Sequence, residues 1–300
     1  MSLRLTIADI RSTIRIARCF SLAPSNISRG DKLIRIGCQS CSNARVDTAL
    51  PIENLERYHS ASQRARVATE AWASANLYCV NCDSPRLEPT PANFHATDFH
   101  CPKCRDPFQL KGQSKPFGNR IVDSAYSKMM AAIISDRAPH FVLLHYAPDR
   151  WRVLNLLLIP HFAIPKSAIE KRKPLSDTAR RAGWIGCNIV LTSVPDIARV
   201  PIIVNGVAEK PSDVRRRFRH VRPLAELTVE ERGWTLDVLT VVRSLRRTQF
   251  ALDDVYARED KLSRLHPDNR HVRDKIRQQL QVLRDKGLVE FLGRGSYRLR

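Results

Sequence analysis

Acidic side chains are scarce: 30 aspartates and glutamates stand against 50 lysines and arginines, leaving a formal charge of +20 across 300 residues. Such an excess draws a protein to nucleic acid or to an anionic membrane surface. Long apolar runs are also missing. None approaches the roughly 18 residues of a membrane-crossing helix, and "HFVLLHY" and "VLNLLLIP" have strand length, which excludes a helical span. A soluble protein on nucleic acid is the better reading. The N-terminus lacks the apolar core of a signal peptide. The eight cysteines likewise lack the spacing of a secreted disulfide framework, since six of them form three CxxC pairs. That spacing reads as metal ligation in a reducing compartment such as the cytoplasm.

The chain is long enough for two ordinary domains, and 43% hydrophobic residues give each a core to bury. Residues 1–48 repeat arginine without a consistent long period and read as an N-terminal extension, disordered or set before the true start, rather than a transit peptide. In "IENLERYHSASQRARVATEAWAS" the apolar Ile52, Leu55, Val67 and Trp72 predict one or two helices leading into "LYCVNC". "NFHATDFHC" and "FQLK" predict two short strands with a CxxC at their turn. "GNRIVDSAYSKMMAAIIS" sets Ile121, Ala125, Met129, Ala132 and Ile133 on one helical face, and two strands follow. Helix, strands, helix, strands is an α/β order, assigned to residues 49–222. "DVRRRFRHVRP" reads as a basic exposed junction. Residues 223–300 predict three helices and a hairpin with Gly293 and Gly295 at its turn, the order of a winged helix-turn-helix.

Cys79, Cys82, Cys101 and Cys104 form two CxxC turns separated by 18 residues. Two such knuckles complete the tetrahedron that zinc prefers, and four thiolates leave no open position for water. The expected role is structural Zn²⁺. Cys38 and Cys41 form a pair without an obvious partner, Cys19 is isolated, and Cys187 reads as a buried thiol.

Around the second knuckle, Asp98 and the run Gln109-Leu110-Lys111 fit the shape of PD-(D/E)xK nucleases. These place an acid on one strand and an (E/Q)xK pair on the next, to bind Mg²⁺ and orient the attacking water. Residues two apart on a strand share a face, and a hairpin partner can bring Asp98 beside them.

"KPLSDTARRAGWIGCNI", "RGWTLDVL" and "DKIRQQLQVLRDKGLVEFLGRGSYR" resemble the DpnI family, restriction endonucleases that cut adenine-methylated GATC. The resemblance continues in the same order from about residue 50 to 300 through "SQRARVATEAW", "YCVNC", "DFHCPKC", "AYSKMM" and "IPKSAIEKRKPL". It implies an α/β PD-(D/E)xK nuclease domain with an inserted four-cysteine zinc site, then an α+β winged helix-turn-helix domain, both reading methylated double-stranded DNA. It also implies a catalytic role for Asp98 and Lys111, and zinc ligation by Cys79, Cys82, Cys101 and Cys104. At 109 the sequence lacks the family's glutamate. Gln109 offers Mg²⁺ a carbonyl oxygen without a charge, so metal affinity should fall.

On the helix after residue 270, Val272, Ile276, Leu280 and Leu283 fall on a core-facing side. Arg270, His271, Asp274, Arg277, Gln278 and Gln281 present the other side, with Lys275 at its edge. Arginine and glutamine suit forked bonds to guanine and adenine edges in the major groove. Arg294 can reach phosphates from the wing, which positions without selecting sequence. Trp184, beside Arg180, Arg181 and Gly183, is the candidate contact for an N6-methyl group, whereas Trp72, Trp151 and Trp234 read as core. A monomeric, Mg²⁺-dependent type II endonuclease of methyl-directed restriction is the leading reading. A methylated-DNA reader weakened at Gln109 is the alternative, and a regulator with an unrelated ligand domain is a third.

Overall fold

The computed structural model describes residues 46–91 and 97–300. Cys19, Cys38, Cys41 and most of the strand expected at "NFHA" lie outside the described residues.

The chain enters through a short 3-10 turn, Leu55–Arg57, and then α1 (Ala61–Asn76). Ser60 caps α1 by accepting the Gln63 N–H at 3.2 Å, satisfying one of the orphan donors of the first turn. Of the apolar positions expected to anchor this region, Leu55 and Trp72 are buried, but Ile52 is 55% exposed because it precedes the first turn.

Four strands come next, around and beyond the knuckle cysteines: β1 (Glu88–Pro89), β2 (Phe99–His100), β3 (Pro107–Gln113) and β4 (Arg120–Ala125). After them come α2 (Tyr126–Ile134), β5 (His140–Ala147), β6 (Arg152–Ile159), β7 (Ile169–Lys171), β8 (Gly186–Val190), β9 (Val200–Val204) and β10 (Val207–Ala208). The main sheet has the order β1-β2-β3-β5-β6-β9-β10. Only β3 and β5 run parallel among its pairs. A parallel pair needs a crossover, and β4 with α2 supplies it. β5 is buried from His140 to Tyr146, as a strand covered on both faces must be.

The stretch expected as one helix from Gly118 is therefore a strand followed by a helix. Ile121 is buried, Val122 is 60% exposed and Asp123 is buried, so the period is two up to the bulge at Asp123 and Ser124. β4 joins a second sheet of order β4-β8-β7. The basic stretch at 213–223 also differs from a plain exposed junction. Most of it is α3 (Pro211–Val221), whose Val214, Phe218 and Val221 are buried while Arg216 and Arg219 face solvent.

The C-terminal part begins at α4 (Val229–Ser244), opened by a capping box between Thr228 and Glu231. It continues through β11 (Gln249–Ala251), α5 (Leu252–Tyr256), α6 (Glu259–Leu265), α7 (Val272–Asp285), β12 (Val289–Gly293) and β13 (Ser296–Leu299). The helical set numbers four rather than three, because the middle helix breaks between α5 and α6, and β11 adds a strand to the wing. Val272, Ile276, Leu280 and Leu283 of α7 are buried as the spacing predicts. The wing turns at Gly293, Arg294 and Gly295, all at positive φ, where glycine relieves the strain at two of three positions.

Candidate functional site

The hairpin of β2 and β3 sets Asp98 beside the strand that carries Gln109 and Lys111. Phe99 pairs with Phe108 and His100 with Pro107, and Asp98 stands at the open end of this pairing. The Asp98 backbone N–H donates to the Phe108 carbonyl at 2.9 Å, and its Oδ2 accepts the Leu110 N–H at 2.8 Å. The carboxylate is thus hooked to the backbone between Gln109 and Lys111. Beyond it lies an open cleft of about 710 Å³, lined by Asp98, Leu110 and Gly112, by Arg66 and Thr69 of α1, and by Arg120. Gly112 keeps this wall thin, since a Cβ there would stand 3.3 Å from the Thr69 hydroxyl.

Sequence reasoning missed Asp123. Its side chain is 1% exposed on β4 and ion-pairs with Lys111 Nζ, tying the second sheet to the first beside the hairpin. The available signal was a carboxylate in an inward slot of an alternating strand, but the partner is visible only once the crossover is traced. Cys187 of β8 lies in the same environment, and burial first, then the Asp123 charge, pushes its thiol up to about 11.

The four knuckle sulfurs lie within 4.8 Å of one another. Cys79 Sγ is 3.5 Å from Cys104 Sγ, and Cys82 Sγ is 3.5 Å from Cys101 Sγ. Tetrahedral thiolates about 2.3 Å from zinc stand roughly 3.7 Å apart, so this cluster can hold a zinc ion. Burial pushes the Cys79 thiol well up and that of Cys104 up to about 12. At Cys101 burial also pushes up, but the backbone N–H groups of Cys104 and Lys103 outweigh it and bring the thiol down to about 7. Two further contacts missed in the sequence brace the knuckle. Arg215 of α3 donates to the carbonyls of Cys79 at 3.0 Å and Ser84 at 3.3 Å. Asp106 accepts from Asn81 at 2.8 Å and lies 3.4 Å from the ring of buried His140.

The expected DNA-facing groups are on the surface. Arg180 and Arg181 are exposed in the loop before β8, and the Arg181 guanidinium lies 4.7 Å from the centre of the half-buried Trp184 ring. The indole covers Gly186, where an added Cβ would meet it at 2.8 Å. Arg270 and His271 are exposed just before α7 rather than on its face, Arg277, Gln278 and Gln281 are exposed on the helix, Lys275 is half-buried, and Arg294 tops the wing. Trp72 is buried as expected, whereas Trp151 is only half-buried, stacked on Tyr146 at the edge of the core. Trp234 stacks on His266 with ring centres 3.7 Å apart. His266 ends α6, and its Nε2 stands 2.9 Å from Asp237 of α4, whose other oxygen accepts from Ser167 at 2.6 Å. The loop that leads into α7 is thereby tied to the segment after β6.

These features define a DNA-binding protein made of a mixed α/β region with a four-cysteine metal knuckle and a helix-turn-helix region. Residues 46–227 match the family model described as DpnI, the Dam-replacing family, and residues 230–299 match the Dam-replacing HTH domain. The chain belongs to the DpnI family, whose members are nucleases of the restriction-endonuclease kind. Among the described residues no helix is long and apolar enough to cross a membrane.

Proposed function

We propose that this chain is a Mg²⁺-dependent type II endonuclease of methyl-directed restriction, cutting double-stranded DNA at N6-methyladenine sites. Its target is GATC with methylated adenine, and its host lacks that mark. Residues 49–222 serve as the PD-(D/E)xK-type nuclease and residues 223–300 as the winged-helix reader, acting as a cytoplasmic monomer. The observation that carries this reading is the hook of Asp98 Oδ2 on the Leu110 amide at 2.8 Å, which sets the acid beside the strand bearing Gln109 and Lys111.

The donor set suits a hard cation. Asp98 Oδ1 makes no hydrogen bond among the described residues, and the Gln109 side-chain carbonyl adds a neutral oxygen. Magnesium bound there supplies Lewis-acid polarisation of the scissile phosphate. Lys111 offers an ammonium to a phosphate oxygen or to the attacking water. Zinc at the knuckle holds the hairpin ends and takes no part in the chemistry, having no open position. α7 reads base edges through Arg277, Gln278 and Gln281, with Arg270, His271 and Lys275 at its flank and Arg294 on phosphate. Trp184, Arg180 and Arg181 meet the methylated strand from the nuclease side.

A second reading, a methylated-DNA reader without cleavage, is favoured only by Gln109. Matched plasmids with fully methylated and unmethylated GATC, incubated with Mg²⁺, separate the two. Cleavage of methylated DNA alone, lost in Asp98→Ala, is expected. Methyl-dependent binding by the wild type without cleavage would replace the nuclease with the reader.

A further inference from the structure

A carboxylate sealed in a protein interior is costly unless paired, and an ion pair there is poor evidence of stabilisation because apolar side chains fill such a site as well or better. Asp123 is such a group, with a side chain 1% exposed. Apart from the Lys111 ammonium, neither of its oxygens meets a hydrogen-bond donor among the described residues. That lysine is 23% exposed, so its ammonium has Asp123 on one side and an open flank on the other.

The backbone has been bent to make this contact. Val122 pairs with Asn188 and Ala125 with Gly186, so β4 advances three residues while β8 advances two. Asp123 and Ser124 therefore stand opposite the single Cys187. A bulge of this kind re-aims a side chain, and bulges concentrate beside functional sites. Here the re-aimed residue is the only inward-facing acid of its strand, and it meets the lysine of the QxK run.

We propose that Asp123 is a positioning residue for Lys111, holding its ammonium at the mouth of the hairpin so that it addresses the phosphate or the water rather than folding onto Asp98. The inference rests on the nuclease reading above and extends it to a second sheet. It also gives Gln109 a context. With a neutral amide at 109, Asp98 is the sole negative charge of the predicted triad, and a lysine not held elsewhere would pair with it in place of the metal.

The test uses the full zinc-loaded chain and methylated GATC DNA with Mg²⁺. Asp123→Asn should lower kcat about a hundredfold, the scale of a misplaced reacting group, while KM for DNA stays within about twofold. In the Lys111→Met background the same change should have no further effect, because a positioning residue acts only through its partner. A loss in the double variant equal to the sum of the single losses would mark Asp123 as structural and overturn the proposal, as would wild-type kcat in Asp123→Asn. A second readout requires no Asp123 variant. In ¹⁵N-lysine protein, one slowly exchanging side-chain NH₃⁺ signal should be present and vanish in Lys111→Arg, and its absence from the wild type would also overturn the pairing. Failure of the wild type to cut methylated DNA, with that signal retained, would instead defeat the nuclease reading itself.

Discussion

At position 109 a neutral amide stands where the family's pattern has a carboxylate, and in the proposed reading this exchange weakens the hold on Mg²⁺. Gln109→Glu adds a charged oxygen beside Asp98, so half-maximal cleavage should be reached at lower Mg²⁺ with activity kept. A titration of cleavage rate against Mg²⁺ checks it, and complete loss of cleavage would remove Gln109 from the ligand set. Trp184 carries the other residue-scale expectation. Burying one methyl is worth about 0.8 kcal/mol, so Trp184→Ala should reduce the ratio of methylated to unmethylated cleavage about fourfold. An unchanged ratio would assign the indole to packing over Gly186 alone. The placement of Asp98 beside the strand of Gln109 and Lys111 was legible in the sequence because a strand's period of two and a short hairpin need no knowledge of topology. Asp123 was not, since nothing local announces a partner on another sheet.

Among the elements, the knuckle bears the most mechanical responsibility. Its four sulfurs draw together two turns that are otherwise joined by the Asn81–Asp106 hydrogen bond and the short β1–β2 pair. Stripping zinc with a chelator should release the hairpin and abolish cleavage while leaving the α7 face able to bind DNA. Zinc analysis, cleavage and a binding titration on one sample would show it. Retained cleavage at zero zinc would reduce the metal to an ornament of the fold. The spacing of Cys79, Cys82, Cys101 and Cys104 made this element readable. The β4 and α2 stretch was misread because Ile121, Ala125, Met129, Ala132 and Ile133 satisfy a helical period, while the alternation of Ile121, Val122 and Asp123 is too short to compete. Likewise, the arginines of α3 hid the fact that Val214, Phe218 and Val221 make a buried stripe.

For the molecule as a whole, the contacts between the α/β region and α4 give stability a pH dependence. Arg232 of α4 ion-pairs with Asp136, and His161 lies 3.6 Å from the same carboxylate. Burial, then the neighbouring His140, holds His161 down at about 4. The unfolded chain takes up this proton near pH 6.5 and the folded chain only near 4, so the contribution is full above pH 6.5 and declines as pH falls between them. The loss at pH 5 is about 2 kcal/mol. Thermal melts at pH 7 and pH 5 should therefore differ less in His161→Gln than in the wild type. Equal differences would show that other groups carry the acid sensitivity. None of this network was readable beforehand, because His161, Asp136 and Arg232 are far apart in the chain and ordinary in their local settings.

The grip of Arg215 on the knuckle carries a consequence for how the protein is born. The arginine lies 136 positions after Cys79, whose carbonyl it holds. As the polypeptide leaves the ribosome, Asp98 and Lys111 emerge early, yet the brace for their hairpin arrives only when α3 does. A stalled or truncated translation product ending before Pro211 therefore carries Asp98 and Lys111 without the brace on their knuckle.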